Sequence, residues 1–347
     1  MKANLYILFI AIIVSSGCKK SKKEYPTSNP AYQAEAVKIW DQAPHSAFTD
    51  LIRFQNSFYC TFREADSHIT GINNPGKVRI LKSADGANWS VIAHFEVSQK
   101  DIRDPKLSIT PDNRIMVFMD VETYQANGTT VATRTPHVSF SDNTGNNFSI
   151  PEETLLDPQI KAAHNWIWRA TWHKGVGYGV DYLGAGPLNL VKTTEGKNFQ
   201  KLARIVVDGN PNEATVRFDQ NDKMYMLIRR ELLDQKGVLV TSVPPYSSFQ
   251  QTKLSIRLGG PEFIFLDNNT LCIASREFSA SGAAIGTAVF VTDLNGNISK
   301  TIKLPSGGDT SYAGMLIHEN KLWVSYYSSH QGKTQIYLSK IPLSELK

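Results

Sequence analysis

The feature that most constrains this chain is a repeat. From Pro44 onward, short runs of β-branched and aromatic residues alternate with Gly, Asn and Asp turns, and no long stretch carries a helical period. The repeating unit is roughly 50 residues long. Its first strands read HSAFTDLIRF from His45, RDPKLSIT from Arg103, HNWIWRATW from His164, NEATVRF from Asn212, GGPEFIFL from Gly259 and DTSYAGMLI from Asp309. Each is followed by a turn and a second strand that tends to end in charge, such as SFYCTFRE, KMYMLIRRE and TLCIASRE. Third strands follow in most units, among them VRILKS, GVLVTS and QIYLSK. Units of this kind cannot bury their apolar faces alone, so they must pack on one another. Six units of about four strands predict an all-β fold, a six-bladed β-propeller.

The last unit has three strands before the chain stops, and the segment AEAVKIW (Ala34–Trp40) ahead of the first unit is a spare. The spare strand is expected to complete the sixth blade and close the ring, which removes exposed strand edges. The domain then runs over 32–347.

What precedes it reads differently. Met1 and Lys2 lead into an apolar run from Leu5 to Val14, then Ser15, Ser16, Gly17 and Cys18. A basic start, a short apolar stretch and a small-residue exit predict a secretory signal over 1–17, too short for a comfortable membrane span. The Val-Ser-Ser-Gly-Cys ending resembles a bacterial lipobox. That resemblance implies lipidation at Cys18 and a lipid anchor in the bacterial cell envelope; an uncleaved anchor or plain signal peptide is the alternative. Residues 18–31, charged and Pro/Ser/Asn-rich, are expected to form a flexible tether. Five Lys and one Glu among residues 1–24 supply +4 of the formal +5, so the domain is close to neutral and nothing argues for a nucleic-acid partner. Cys60 and Cys272 lie within apolar strands and are expected as buried free thiols, a disulfide between them being the alternative if they approach closely. No CxxC pair or His-rich spacing argues for a metal, and no cofactor is implied.

Turns between third and fourth strands share a frame. SADGANW (Ser83–Trp89) and TTEGKNF (Thr193–Phe199) each place a hydroxyl, an acid, Gly and a closing aromatic in order, and SDNTGNNF (Ser141–Phe148) is one residue longer. The acid is expected to cap the turn, Gly to supply positive φ, and the aromatic to plug the gap between blades.

In a propeller the innermost strands line a central channel. Residues opening first strands and closing second strands should therefore meet on one face: Asp50, Arg63, Arg103, Asp104, Trp166, Arg169, Glu213, Arg229 and Arg276 are among them, with His45 and Tyr312. Part of this charge is expected to pair internally. Trp166, Trp168 and Trp172 alternate and read chiefly as blade core, with Trp166 at the strand mouth able to stack on a sugar ring.

These turns resemble the Asp boxes of the sialidase (neuraminidase) superfamily. The order of strand with Glu213, turn, strand ending in Arg229 is similar to that family's segment carrying a catalytic Glu and a ligand Arg. GGDTSYAGMLIHENKLWVSYY resembles the segment carrying its nucleophilic Tyr, here Tyr312. The resemblance implies an exported glycoside hydrolase with a Tyr312/Glu213 pair, arginines holding an acidic sugar, and a separate acid, best matched by Asp66 with His68 as alternative. Where the family opens its first blade with Arg-Ile-Pro, this chain has Ala47-Phe48-Thr49. Arg63 is then expected to reach the same space, and Arg276 is the candidate for the third arginine. A different glycan, or a propeller that binds glycan without turnover, is the alternative. Glu213 as a turn cap and Tyr312 as a channel-lining aromatic remain open readings of the residues themselves.

Overall fold

The computed structural model describes residues 32–184 and 186–347. The expectations for the leader, Cys18 and the tether fall outside those residues. Gln33–Lys347 forms one compact unit built of six β-sheets.

Five sheets run in chain order from an inner strand outward. Blade 1 comprises His45–Phe54, Ser57–Ala65, Lys77–Ser83 and Ser90–Phe95. Blade 2 opens with Asp101–Ile109, and its outermost strand is only Glu152–Glu153. In blade 3 the inner strand is broken into Trp166–Ile167 and Thr171–His173, and Leu155–Leu156 joins its outer edge in parallel. The inner strands of blades 4 and 5 are Pro211–Phe218 and Glu262–Phe265. Blade 6 is Thr310–His318, Lys321–Ser328 and Gln335–Pro342, completed by Ala36–Trp40 from the other end of the chain, with Ala36 opposite Ser339. The ring closes as the spare-strand count predicts.

The blades adhere through apolar seams. Between blades 3 and 4, Val180, Leu190 and Ile205 meet Val216, Met226 and Val240, all fully buried. Between blades 1 and 2, Val78 and Ile80 meet Ile102, Val117 and Met119. These are the alternating apolar positions of each strand, so period-2 patterning is converted directly into inter-blade packing. Leu190→Ala at one seam is expected to cost about 2–5 kcal/mol. Cys60 and Cys272 are buried free thiols, as expected.

The shared turns work as their chemistry requires. Gly86 has φ +66°, Ser83 Oγ accepts its N–H at 2.8 Å, and Asp85 accepts the N–H groups of Ala87 and Asn88 at 2.8 Å each. In the second, Glu195 accepts the Asn198 N–H at 2.7 Å and the closing Phe199 packs against Met116 and Phe118 of the preceding blade. A fourth such turn at Asp293–Gly296, where Asp293 caps Asn295 and Asn297, has no closing aromatic and so escapes the pattern.

Candidate active site

Each inner strand carries one residue more than its partner. In blade 1 the register slips between Ala47 and Asp50, in blade 2 between Arg103 and Lys106, in blade 4 between Asn212 and Thr215, and in blade 6 between Ser311 and Gly314. The residue after the slip begins has positive φ: Phe48 at 61°, Asp104 at 46°, Glu213 at 39° and Tyr312 at 51°. In blade 5 Gly260, at 61°, holds the corresponding place. In blade 3 the break between Ile167 and Thr171 sets three residues against two on Val176–Tyr182. A bulge of this kind re-aims the side chain it carries. Left-handed backbone costs a non-glycine residue about 1–2 kcal/mol, and here four blades hold one.

Two of the re-aimed side chains meet. Tyr312 donates its hydroxyl to Glu213 Oε1 at 2.6 Å. Arg229, near the end of the strand paired with Glu213's own, places Nη1 2.5 Å from that oxygen and 3.4 Å from the Tyr312 hydroxyl. Gly260 N–H donates to Glu213 Oε2 at 2.9 Å. A side chain is not admissible at Gly260, because an added Cβ would stand 2.5 Å from Cδ2 of Tyr312. The glycine therefore lets the tyrosine ring lie against the backbone and gives Glu213 its second partner.

The electrostatics follow. Burial pushes the Glu213 carboxyl up, but the Arg229 guanidinium and the hydrogen bonds from Tyr312, Arg229 and Gly260 outweigh it, so the group lies below the usual carboxylate range. Burial and then the Glu213 charge push the Tyr312 phenol well above its ordinary value, against the pull of Arg229 and Arg276. The pair is thus a neutral phenol hydrogen-bonded to an ionised carboxylate.

Arg276 lies over the Tyr312 ring, its Cζ 5.5 Å from the ring centroid, and donates to Thr310 O at 3.0 Å and to the Tyr327 hydroxyl at 3.3 Å. Its neighbour Glu277 turns away to Lys303, and Arg230 likewise turns from Arg229 toward Asp208 and Asp234. Asp104 is 6% exposed and its Oδ1 has no partner among the described residues. Burial holds its carboxyl above the usual range despite Arg103 and Lys106, and the Glu213 charge adds to the rise.

Other expected site residues are engaged elsewhere. Arg63 is fully buried and grips Asp101 with Nε at 2.7 Å and Nη2 at 2.8 Å, while also donating to Ser67 O and Thr70 Oγ1. It does not supply the missing first arginine. Arg103 faces Asp101 and Glu122 and lies over Phe48, 5.2 Å from the ring centroid. Asp50 and Arg169 bind each other deeper in the channel, at 2.7 and 3.0 Å, and Arg169 also pairs with Glu262. With side chains 1% and 5% exposed, they form an internal ion pair away from the mouth. Asp66 is exposed and lines a cavity of about 330 Å³ with Glu64, Asn73 and Arg79, a lining that does not include Glu213 or Tyr312.

The tryptophans exchange roles. Trp168 lies edge-on to Tyr312 with centroids 5.5 Å apart, whereas Trp166 stacks on Tyr182 at 6.1 Å beneath the Arg134 guanidinium. The extra residue in the blade 3 strand breaks the alternation that would keep them together. Sequence reasoning also missed Phe48, whose ring meets Tyr312 at 5.1 Å, and Tyr327, which donates to Asp309 Oδ1 at 2.9 Å. The place of Phe48 in the Ala47-Phe48-Thr49 segment was its available signal.

No protein-family model and no curated protein matches this sequence. Solved structures do match its fold. A protein of unknown function from Dyadobacter fermentans superposes with a TM-score of 0.74 at 17% identity, covering 89% of this chain and 98% of that one. The Trypanosoma rangeli sialidase in complex with the inhibitor DANA gives 0.68 at 12% identity, covering 91% of this chain and 61% of the sialidase. A K499G mutant of the NanB sialidase from Streptococcus pneumoniae gives 0.70 at 10% identity, covering 93% and 72%. The chain thus has a sialidase-like six-bladed propeller fold, and it spans about three-fifths of the length of the trypanosomal enzyme.

Proposed function

We propose that this protein is an exported glycoside hydrolase of sialidase-like type that removes a sugar from the non-reducing end of a glycan. The observation that carries the reading is the 2.6 Å hydrogen bond from Tyr312 to Glu213, with Arg229 against both. In the proposed reaction Tyr312 Oη attacks the anomeric carbon as Glu213 takes the phenolic proton. The glycosidic bond breaks and its oxygen leaves with a proton from an acid. Water, deprotonated by that residue's conjugate base, then releases the sugar from Tyr312, giving net retention. Asp66 is the proposed acid, with His68 on the same loop as alternative. A neutral phenol suits a sugar bearing a carboxylate, because it adds no repulsion as the substrate arrives. Arg229 and Arg276 would face that acidic group, and Asp104, with an unpaired Oδ1, would accept a hydrogen bond from a sugar hydroxyl or amide. The chain is further proposed to be lipid-anchored at Cys18 on the cell envelope; acyl labelling that survives Cys18→Ala would refute the anchor.

A second reading, a lipoprotein that binds glycan without turning it over, is favoured by one observation. Phe48 packs on Tyr312 in the segment where sialidases carry Arg-Ile-Pro, and Arg63 is held by Asp101. Screening the protein against aryl glycosides and acidic oligosaccharides separates the two. Turnover abolished by Glu213→Gln and by Tyr312→Phe is the expected result; turnover that survives both sinks the mechanism, and binding without turnover favours the second reading.

A further inference from the structure

A second group of chemistry-bearing side chains converges where blade 6 meets blade 1. His45 opens the inner strand of blade 1, His68 follows its second strand, and Asp309 directly precedes the strand of Tyr312. His45 Nε2 lies 2.9 Å from Asp309 Oδ2, and His68 Nδ1 lies 2.8 Å from the same oxygen. The three atoms all fall within 4.8 Å of one another. We propose that His45, His68 and Asp309 form a binding site for a divalent transition-metal ion of the zinc type.

The donor set argues for that class of ion. Two imidazole nitrogens and one carboxylate oxygen suit zinc, cobalt, nickel or ferrous iron, whereas calcium and magnesium favour oxygen alone. Two of the three spacings suit an ion. Ligands about 2.0–2.1 Å from zinc stand roughly 2.9–3.4 Å apart at angles between square and tetrahedral, and the two nitrogen–oxygen separations lie at the short edge of that range. The ring nitrogens stand within 4.8 Å of each other, so the ion would enter by small shifts of the half-exposed His68 ring, not by bringing distant residues together.

The group is also held from behind, as ligands must be. Tyr327 donates to the other carboxylate oxygen of Asp309 at 2.9 Å, and the Asp309 N–H donates to Ser329 Oγ at 2.9 Å. The His45 ring is buried between Phe48 and Tyr327, each 6.4 Å away between centroids. His68 packs edge-on against Phe48 at 5.1 Å. On the open side the His68 and Asp309 side chains are 42% and 29% exposed, so an ion can enter and keep positions for water or a sugar hydroxyl.

Binding moves protons in a defined way. Each neutral ring must present a lone pair to the ion, so the N–H of His45 passes from Nε2 to Nδ1 and that of His68 from Nδ1 to Nε2. His45 Nδ1 is buried without a partner. An N–H left unpaired there weakens binding. An ion also commits His68 and leaves Asp66 as the loop's proton donor in the hydrolase reading.

The test is calorimetric titration of the untagged full-length chain, stripped with chelator, with ZnCl2, and optical titration with CoCl2. One saturable site per chain is expected, with Co2+ absorption of low coordination number and at least tenfold weaker binding in His68→Ala and in Asp309→Asn. His68 is half-exposed, so its variant keeps the test valid if changes at buried His45 disturb folding. No saturable binding, or binding that both variants leave unchanged, overturns the proposal. No glycan enters the measurement, so its outcome is independent of whether Glu213 and Tyr312 perform hydrolysis.

Discussion

The bulge residues and those one or two positions further along the same strands are both buried and crowded round one axis, yet they are assembled on different terms. In the deeper layer, both oxygens of Asp50 receive Arg169, one of them also takes the Leu107 N–H, and Glu262 lies between Arg169 and Arg217. Lys106 completes that layer under the Trp168 ring, 4.7 Å from its centroid. Every carboxylate there is closed off by cations. In the bulge layer Glu213 is engaged, but Asp104 Oδ1 is buried without a partner; this open carboxylate carries the contrast, because unpaired Nε atoms occur in both layers, at Arg103 and Arg229 and at Arg169. Buried charge alone therefore does not mark a site. Charge held in a strained backbone with hydrogen-bonding capacity left over does.

That contrast can be broken most sharply by paired substitutions. Glu213→Gln and Tyr312→Phe are expected to lower turnover by about 10²–10⁴-fold while costing about 1–3 kcal/mol of unfolding free energy, because Arg229 keeps Glu231 as a partner. Arg169→Met should do the opposite. It strands the Asp50 and Glu262 carboxylates and is expected to cost about 3–5 kcal/mol, read as a lower urea midpoint. Equal destabilisation by both classes of variant would erase the distinction between the layers.

A smaller effect comes from the acidic side of the ring. Burial raises the Asp181 carboxyl to about 6 from 3.8, against hydrogen bonds from Asn165, Asn189 and the Trp166 backbone. The folded state holds that proton over a range where the unfolded chain has released it, so this group's contribution to stability is full below about pH 4 and is lost as pH rises toward 6. The loss is about 2–3 kcal/mol, and Asp181→Asn should flatten this component of the unfolding profile between those two values. An unchanged profile would show that Asp181 is not held protonated. Gly260→Ala is expected to cost about 1–2 kcal/mol from its left-handed backbone, with the clash of the new Cβ against Tyr312 added to that. The Cβ also pushes on the Tyr312 ring, so turnover should fall with it; a variant that keeps full turnover would show the close approach to be dispensable.

Much of the fold was legible because alternation and turn chemistry are local. Val216, Met226 and Val240 announce their seam by spacing alone, and Ala36–Trp40 announces the closure because one unit is a strand short. Glu213, Arg229 and Tyr312 were legible because two segments resemble those of a known family. Asp50 and Arg169 were not placed correctly, since strict alternation does not register the extra residue in each inner strand and strand ends give no depth along a channel. Arg63 was misread because Asp101, which occupies it, lies 38 residues away. His45 and Asp309 are 264 residues apart, and no spacing rule reaches across a ring seam.

The closing strand has a consequence for how the molecule is made. Among the described strands Ala36–Trp40 is synthesised first and its partner Gln335–Pro342 last. Until that partner emerges the early strand has no edge to join, and blades 1 to 5 stand as an open arc. Contacts of such long range form slowly and leave strand edges exposed in the interval. Ring closure waits on Gln335–Pro342, and a chain truncated before Gln335 would never finish the circle.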